Sequence, residues 1–326
     1  MKLYGKKSAL ERLEMFYSSG RVPHALLLTG DEGVGKRTLA DYAVMLALCE
    51  KKGGTPCFSC NECMRIEQHI HPDVIYPLRE SKNGKYSTAE LVEFVNNCNR
   101  VPNDAQFRFY IFEQAEEMNV SCQNALLKFI EEPLRFNRFI FTASDKSRIL
   151  ETIISRVTEI KVPAAEESEC LSALSERGIA RDEAMRLYRT FGGNIGRCIS
   201  AHEDEGKLAL FMLSEKIAEA VACGREYDCL VLFTSVKTRE ELGEILKNLT
   251  DIFGNAAVLY AGGKPCGFFS EKSEMIAARM TLKKINKIYE AAIELLKAMD
   301  FNPNTALAAA GCCAKLFSAA EKLQRT

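Results

Sequence analysis

The sequence contains no long apolar run and no excess of charge of either sign. No stretch approaches the roughly 20 consecutive apolar residues that a membrane-spanning helix needs, and the first residues, Met1–Gly5, lack the apolar core of a secretory signal peptide. We therefore expect a cytoplasmic protein that does not associate with a membrane. The formal net charge is only -1, so there is no overall positive field for nucleic acid, and any contact with DNA must be local or made by a partner. Repeats and low-complexity segments are also absent.

The composition is that of an ordinary globular protein. Of 326 residues, 47% are hydrophobic and 27% are charged, which excludes a disordered or fibrous chain. The length is sufficient for two or three domains. The chain has 13 cysteines, and an odd number without a secretion signal favours reduced thiols, some of them metal ligands, over a disulfide framework.

Four of the cysteines have the spacing of metal ligands. Cys49 is followed, across a Gly-Gly-Thr-Pro turn, by Cys57, Cys60 and Cys63. Four thiolates are the number that a closed tetrahedral zinc site needs, whereas a catalytic zinc would keep one position open and a redox pair would need only two cysteines. We therefore predict a structural zinc site. His69 and His71 could in principle replace a cysteine ligand, but His71-Pro72-Asp73 is typical of a turn into the next strand, and we leave both histidines outside the site.

An apolar strand, a glycine-rich turn and a helix follow each other at residues 26–38. Gly30, then four residues, then Gly35-Lys36 is the spacing of a phosphate-binding loop, whose backbone N–H groups surround phosphate oxygens while the lysine reaches the outer phosphates. The next residue in such a loop, Ser or Thr, holds Mg²⁺. Here it is Arg37, which offers a metal no lone pair, so Thr38 would have to serve instead. The sequence leaves open whether ATP or ADP binds. The candidate nucleotide-binding residues are Gly30, Gly33, Gly35, Lys36 and Thr38.

Strands and helices alternate from residue 26 to 162, which predicts a parallel α/β sheet. One strand ends in Glu113-Gln114, where a phosphate-loop ATPase has an aspartate for Mg²⁺ followed by a glutamate that polarises water. Because an amide cannot act as a general base, this pair predicts lost hydrolysis, in agreement with Arg37. An ordinary buried strand with a polar end explains the same residues without a function. We also predict helices over 3–20, 88–98 and 124–133, a strand over 74–77, and a helix that carries residues 155–156.

Pro163 marks a boundary, after which the pattern is almost purely helical. We expect three domains: a P-loop-like domain at 1–162 with the cysteine module at 49–63, a small helical domain at 163–206, and a helical domain at 207–326. Packing against partner subunits and a self-contained bundle both fit the apolar positions of the last domain.

Several short motifs stand out along the chain. They are residues 21–25 before the loop, the four-cysteine insert, and residues 71–73, 124–133, 155–156 and 302–307. Together they resemble the AAA+ subunits of the bacterial DNA polymerase III clamp loader, and they cover nearly the whole first half and extend to the end. The resemblance implies an AAA+ P-loop parallel-sheet domain with a zinc-binding insert, a small helical lid domain and an all-α C-terminal collar domain for oligomerisation.

Within this family the resemblance points to the delta-prime branch. Gamma/tau motor subunits have intact loops and acidic residues, whereas delta-prime subunits have eroded ones, as Arg37, Glu113 and Gln114 are here. Gly196 falls where motor subunits carry a nucleotide-sensing arginine, with Arg197 next to it. The resemblance implies a rigid stator without independent ATPase activity, within a DNA-directed DNA polymerase holoenzyme and its clamp loader ATPase complex. Its partners would be gamma/tau and delta subunits in a hetero-oligomeric ring that places a sliding clamp on primed DNA.

Ser155-Arg156 is the motif expected to remain functional. In AAA+ rings the arginine of this motif points at the ATP of the adjacent subunit and stabilises the negative charge that develops on the γ-phosphate. Val157 replaces the cysteine of the family's Ser-Arg-Cys pattern and leaves the arginine unchanged. Arg156, with Ser155, is therefore the catalytic candidate, an arginine finger in trans; a surface arginine at a helix end is the simpler interpretation. Ser144 falls at the polar sensor position at the end of its strand.

Two other functions stay open at this point. A gamma/tau-like ATPase motor would hydrolyse ATP by itself in a way that depends on Lys36. A zinc-containing nucleic-acid-binding module would bind DNA as an isolated chain with a strong dependence on salt. The stator interpretation predicts little of either activity.

Overall fold

The structure is a computed structural model that describes residues 2–51, 53–77, 86–87, 91, 101–263, 271–299 and 305–321. The predicted helix over 88–98 lies outside these residues apart from Leu91, and so do residues 302–304 of the last motif. The chain divides into two compact units, 1–165 and 166–326. Among the described helices, none is both long enough and apolar enough to cross a lipid bilayer.

The first unit is built on a sheet of five parallel strands, as the alternation of strands and helices predicts. The strands are β1 (Ala25–Thr29), β2 (Val74–Ile75), β3 (Arg108–Phe112), β4 (Asn137–Ala143) and β5 (Thr158–Lys161). Their order is β2-β3-β4-β1-β5, so the carboxyl ends of β3, β4 and β1 lie side by side. The predicted strand over 74–77 is too long, because Pro77 has no N–H for the strand ladder.

Alternate residues of each strand face opposite sides of the sheet, and the sheet therefore separates two apolar clusters. One contains Leu26, Leu28, Phe109, Ile111 and Ile140. The other contains Leu27, Tyr110, Phe112, Phe139 and Phe141. In the second cluster the β3 and β4 rings stack in pairs at centroid distances of 5.4 and 5.1 Å, which fixes the register of the strands that lead to the candidate site.

The described helices of the first unit are α1 (Lys7–Ser18), α2 (Lys36–Leu48), α3 (Asn61–Glu67), α4 (Val120–Glu131) and α5 (Glu151–Ile154). Helix α1 is shorter than the predicted 3–20. From the apolar spacing, Leu10, Leu13, Met15 and Phe16 are expected on one face of this helix, but Met15 is 57% exposed, because Ala9 and Leu13 form the buried stripe. Helix α5 ends at Ile154, so Ser155 caps it and Arg156 follows it; the prediction that the helix carries both residues is wrong.

The second unit is helical throughout its described residues. Its helices are α6 (Glu167–Ser175), α7 (Arg181–Phe191), α8 (Ile195–Glu203), α9 (Glu205–Ala222), α10 (Glu226–Thr234), α11 (Arg239–Tyr260), α12 (Glu271–Arg279), α13 (Leu282–Ala298) and α14 (Thr305–Glu321). A reciprocal capping box between Thr238 and Glu241 starts the 22-residue α11. The further division at residue 206 stays a prediction.

Candidate functional site

The turn between β1 and α2 has the shape of a phosphate-binding loop. Gly30, Gly33 and Gly35 have φ values of 155°, 91° and 92°, a region that residues with a side chain rarely adopt. A Cβ atom at Gly30 would come within 2.3 Å of the carbonyl oxygen of Val162, so a larger residue does not fit there. Gly35 is the N-cap of α2, so the helix begins at the loop. The first N–H groups of a helix have no acceptor within the helix and are available to a ligand at this end.

Lys36 is buried, and its ammonium group binds its own loop. Its Nζ donates to the carbonyl oxygens of Gly30 (2.5 Å) and Asp31 (2.8 Å) and to Oγ of Ser144 (2.9 Å), just after β4. The fold thus brings the loop lysine to the residue expected at the sensor position. A phosphate group would have to displace at least one of these oxygens to bind the lysine.

Arg37 lies across the position where a metal ion would bind in a working loop. Its Nη1 is 2.9 Å from Oε1 of Glu113, the residue that follows β3. The residue after the loop lysine and the acidic residue after this strand are the two positions that hold Mg²⁺ between them in P-loop enzymes. Here the two side chains contact each other directly, so the positive charge beside Glu113 is the guanidinium of Arg37.

Arg37 packs on the ring of Tyr76, which in turn is hydrogen-bonded to Asp41. The guanidinium carbon of Arg37 lies 5.2 Å from the centroid of the Tyr76 ring, a cation–π distance. The Tyr76 hydroxyl donates to Oδ1 of Asp41 at 2.5 Å. Burial raises the pKa of the Asp41 carboxyl, while the hydrogen bond from Tyr76 and the charge of Arg37 oppose that shift. The sequence analysis missed both residues. The only signal for them in the sequence is the aromatic residue Tyr76, directly after the edge strand β2.

The residues after β3 do not supply a general base for ATP hydrolysis at the expected place. Gln114 takes a left-handed backbone conformation (φ 50°), and its N–H donates to Oγ1 of Thr142 on β4 at 3.1 Å. Glu116, which the sequence analysis also missed, is buried. Its Oε1 accepts the backbone N–H of Ser144 at 2.8 Å, so this oxygen stabilises the chain just after β4.

Arg156 is on the surface of the first unit, at the end of α4. Its Nη2 is 3.0 Å from Oε1 of Glu131, the last residue of that helix. Its Nη1 donates to the carbonyl oxygen of Thr152 (2.9 Å) and to Oγ of Ser155 (3.1 Å). The side chain of Arg156 is 40% exposed, so another molecule can reach its guanidinium.

Arg197, which follows Gly196 at the expected sensor position, forms an ion pair within the second unit. Its Nη1 donates to Oδ2 of Asp251 at 2.9 Å, and the side chain of Asn194 caps α8 by accepting the backbone N–H of Arg197 at 3.1 Å. Arg197 therefore stabilises the helical packing of this unit.

The four clustered cysteines form a group that could bind a metal ion such as zinc. The Sγ atoms of Cys49, Cys57, Cys60 and Cys63 all lie within 4.8 Å of one another, and four sulfurs around zinc at about 2.3 Å would lie about 3.8 Å apart. Backbone N–H groups of Cys57, Cys60 and Cys63 donate to the sulfurs of the preceding cysteines at 3.3–3.5 Å. Hydrogen bonds from the backbone and hydroxyl of Ser59 lower the pKa of Cys57 to about 6, whereas burial raises the pKa of Cys63. The donor set and the geometry fit zinc.

The nearby histidines have other partners. Nδ1 of His71 accepts the N–H of Asp73 (3.0 Å), so Nε2 carries the proton that it shares with Oε2 of Glu62 (2.5 Å). Nδ1 of His69 lies 3.1 Å from the Tyr76 hydroxyl. Since Glu62 lies on α3 between two of the cysteines, His71 connects the cysteine module to β2.

Asp73, the carboxylate of the 71–73 motif, has a structural role. It is fully buried and accepts the backbone N–H groups of residues 103–105, with Nη2 of Arg108 3.3 Å away. Burial alone would raise its pKa, but these N–H groups and Arg108 lower it below its ordinary value. The motif at 71–73 is therefore structural.

The parallel sheet and the glycine-rich loop define a P-loop α/β protein in which Arg37 and Glu113 pair where a metal ion is expected. A family model described as "DNA polymerase III, delta subunit" matches residues 5–166. The chain belongs to the DNA polymerase III delta′ subunit family, among the AAA+ clamp loader homologues.

Individual relatives match over different lengths. The delta′ subunit of Bacillus subtilis is 24% identical over 307 residues, which is 90% of this chain and 91% of that protein. The gamma subunit of Buchnera aphidicola is 30% identical over 174 residues, 53% of this chain and 47% of that protein, so the match spans about half the length of that relative. A gamma subunit-related protein of known structure from Thermotoga maritima shares 14% identity at a TM-score of 0.46, over 96% of this chain and 99% of that chain.

Proposed function

We propose that this chain is a delta-prime-like stator subunit of the DNA polymerase III clamp loader. It forms a hetero-oligomeric ring with gamma/tau and delta subunits in the cytoplasm, and the complex loads a sliding clamp onto primed DNA. In this ring the chain supplies Arg156, next to Ser155, as an arginine finger to the ATP of a neighbouring subunit. Family membership supports the complex, and the altered site supports the role within it.

The ion pair between Arg37 and Glu113 is the observation that carries the proposal. Since these side chains contact each other at the two metal-holding positions, Mg²⁺ would have to break their contact to bind. An amide also stands where the catalytic glutamate is expected, at Gln114. Without a bound metal, and without a base at residue 114, we expect this loop not to hydrolyse ATP by itself, although Gly30, Gly33, Gly35, Lys36 and Thr38 keep the outline of a nucleotide loop.

Arg156 is suited to a role in trans because of its exposure and its charge. A guanidinium is always charged and can hold two phosphate oxygens at once. In the same subunit we propose that Cys49, Cys57, Cys60 and Cys63 hold a structural zinc ion, since four thiolates fill its coordination and leave no open position for catalysis.

The test is the ATPase of a complex reconstituted with gamma/tau and delta subunits, clamp and primed DNA. We expect Arg156→Ala to assemble normally and to lower turnover at least about tenfold, since removing an arginine finger costs on the order of 10³ to 10⁵ at the site that it serves. Arg148→Ala is the matched control, because Arg148 is also half exposed and pairs with a glutamate, Glu117 (3.0 Å). Equal turnover of the two variants would refute the assigned role.

A gamma/tau-like ATPase motor is the second candidate, favoured by the 30% identity to a gamma subunit. It predicts ATP hydrolysis by the purified chain that Lys36→Ala abolishes. The stator predicts no hydrolysis for either protein.

A further inference from the structure

The guanidinium of Arg156 is largely occupied by its own subunit. A guanidinium has two N–H groups on each Nη and one on Nε. Nη1 donates to the carbonyl oxygen of Thr152 and to Oγ of Ser155, and Nη2 forms an ion pair with Oε1 of Glu131 at 3.0 Å. Both Nη atoms, which can together bind two phosphate oxygens, therefore have contacts within the subunit.

Glu131 occupies an unusual place for a carboxylate. It is the last residue of α4, and the carboxyl end of a helix carries partial negative charge that disfavours an acidic side chain. The cation of Arg156 offsets this repulsion. Glu132, the next residue and the C-cap of the same helix, has the same charge at the same helix end, and none of the ion pairs between described residues includes it.

We propose that Glu131 is a positioning residue that stores Arg156 in a withdrawn conformation until a neighbouring triphosphate competes for it. This inference rests on the proposed function. The pair is exposed (40% for Arg156 and 44% for Glu131), and exposed ion pairs are weak, so a triphosphate with several negative charges can take the guanidinium from a single carboxylate. The stored conformation would restrain ATP hydrolysis in a complex that has not yet bound clamp and DNA.

The experiment measures the basal ATPase of the reconstituted complex, without clamp or DNA, for matched variants. Glu131→Gln keeps the shape and removes the charge, and we expect basal turnover to rise up to about fivefold, the range that a weak exposed ion pair allows. Glu132→Gln should equal the wild type. The double variant Glu131→Gln with Arg156→Ala should equal Arg156→Ala alone, because the effect passes through the arginine.

The outcomes separate this inference from the proposed function. If Arg156→Ala lowers stimulated turnover but Glu131→Gln leaves basal turnover unchanged or lowers it, the storage role is wrong and the finger role stands. If Arg156→Ala changes nothing, both are wrong. Glu131→Ala, which removes the acceptor entirely, serves as a second variant and should raise basal turnover at least as much; gel filtration of each complex confirms assembly. A merely structural Glu131 would reduce assembly and would not raise turnover.

Discussion

Arg37 is the residue that most distinguishes this loop from a working one. Its identity is visible in the sequence, and so is the conclusion that it cannot hold a metal. Its partners are not, because Glu113 and Tyr76 are distant in the chain and meet it only through the order and register of the strands. The sequence therefore predicted the loss of a metal ligand but not the ion pair that takes its place.

Replacing Arg37 by serine should open the site to metal. In Arg37→Ser a hydroxyl returns next to Lys36 while Glu113 is released, so we expect ATP to bind at least about tenfold more tightly with Mg²⁺ than with EDTA. The wild type should show less than about a twofold difference. Titration with a fluorescent ATP analogue measures both, and Arg37→Lys, which keeps a cation and adds no metal ligand, should behave as the wild type. A strong Mg²⁺ preference in the wild type would contradict this interpretation, and so would its absence in Arg37→Ser.

Asp73 gives a prediction about pH. Its folded-state pKa is lowered, so it stabilises the fold above its unfolded pKa of about 3.9, and that contribution is lost as the pH falls through the folded value. We expect Asp73→Asn to lower the melting temperature at neutral pH by roughly 3–8 °C and to flatten its fall in acid. Thermal unfolding between pH 3 and 7 measures this effect. Asp104→Asn, at an exposed carboxylate nearby, is the control and should follow the wild-type curve of melting temperature against pH. If Asp73→Asn also follows that curve, the ionised Asp73 carboxylate does not stabilise the fold.

At the scale of elements, apolar runs predicted the strands well because buried parallel strands are apolar on both faces. Their ends were harder to predict, since the ends depend on tertiary contacts. The edge strand β2 stops before Pro77, and α5 ends before Ser155, which a helical pattern alone cannot show. The cysteine spacing needed no such context, because ligands so close in sequence must also be close in space.

Removal of one ligand should abolish the zinc binding that we propose for the cysteine module and should disorder the module. Metal binding in such modules contributes directly to folding, so we expect Cys57→Ser to bind zinc more than about 100-fold less tightly and to be cleaved faster by protease within 49–63. Cys223→Ser is the matched control, because Cys223 is also a half-buried free thiol but lies outside the cluster. Atomic absorption measures the zinc content of each variant, and mapping of the cleavage sites measures the order of the module. Full zinc content in Cys57→Ser would rule out this ligand set.

At the scale of the whole molecule, the purified chain should be inactive in two assays. With a net charge of -1, it should bind primed DNA only weakly, and without the steep loss between 50 and 200 mM salt that several phosphate contacts produce. Its ATP hydrolysis should not exceed the rate without protein. Fluorescence anisotropy and a coupled ATPase assay measure the two; a steep salt slope would favour a nucleic-acid-binding module, and hydrolysis that requires Lys36 would favour a motor.

The close approach of Gly30 to Val162 has a consequence for how such loops persist over evolution. Any mutation that adds a side chain at Gly30 collides with the backbone after β5, whether or not a ligand ever enters the cavity. Natural selection for folding is thus enough to retain this glycine whether or not the loop hydrolyses ATP. Glycine spacing alone is therefore no evidence of ATP hydrolysis in such chains, and the residue that follows the lysine is the one to inspect.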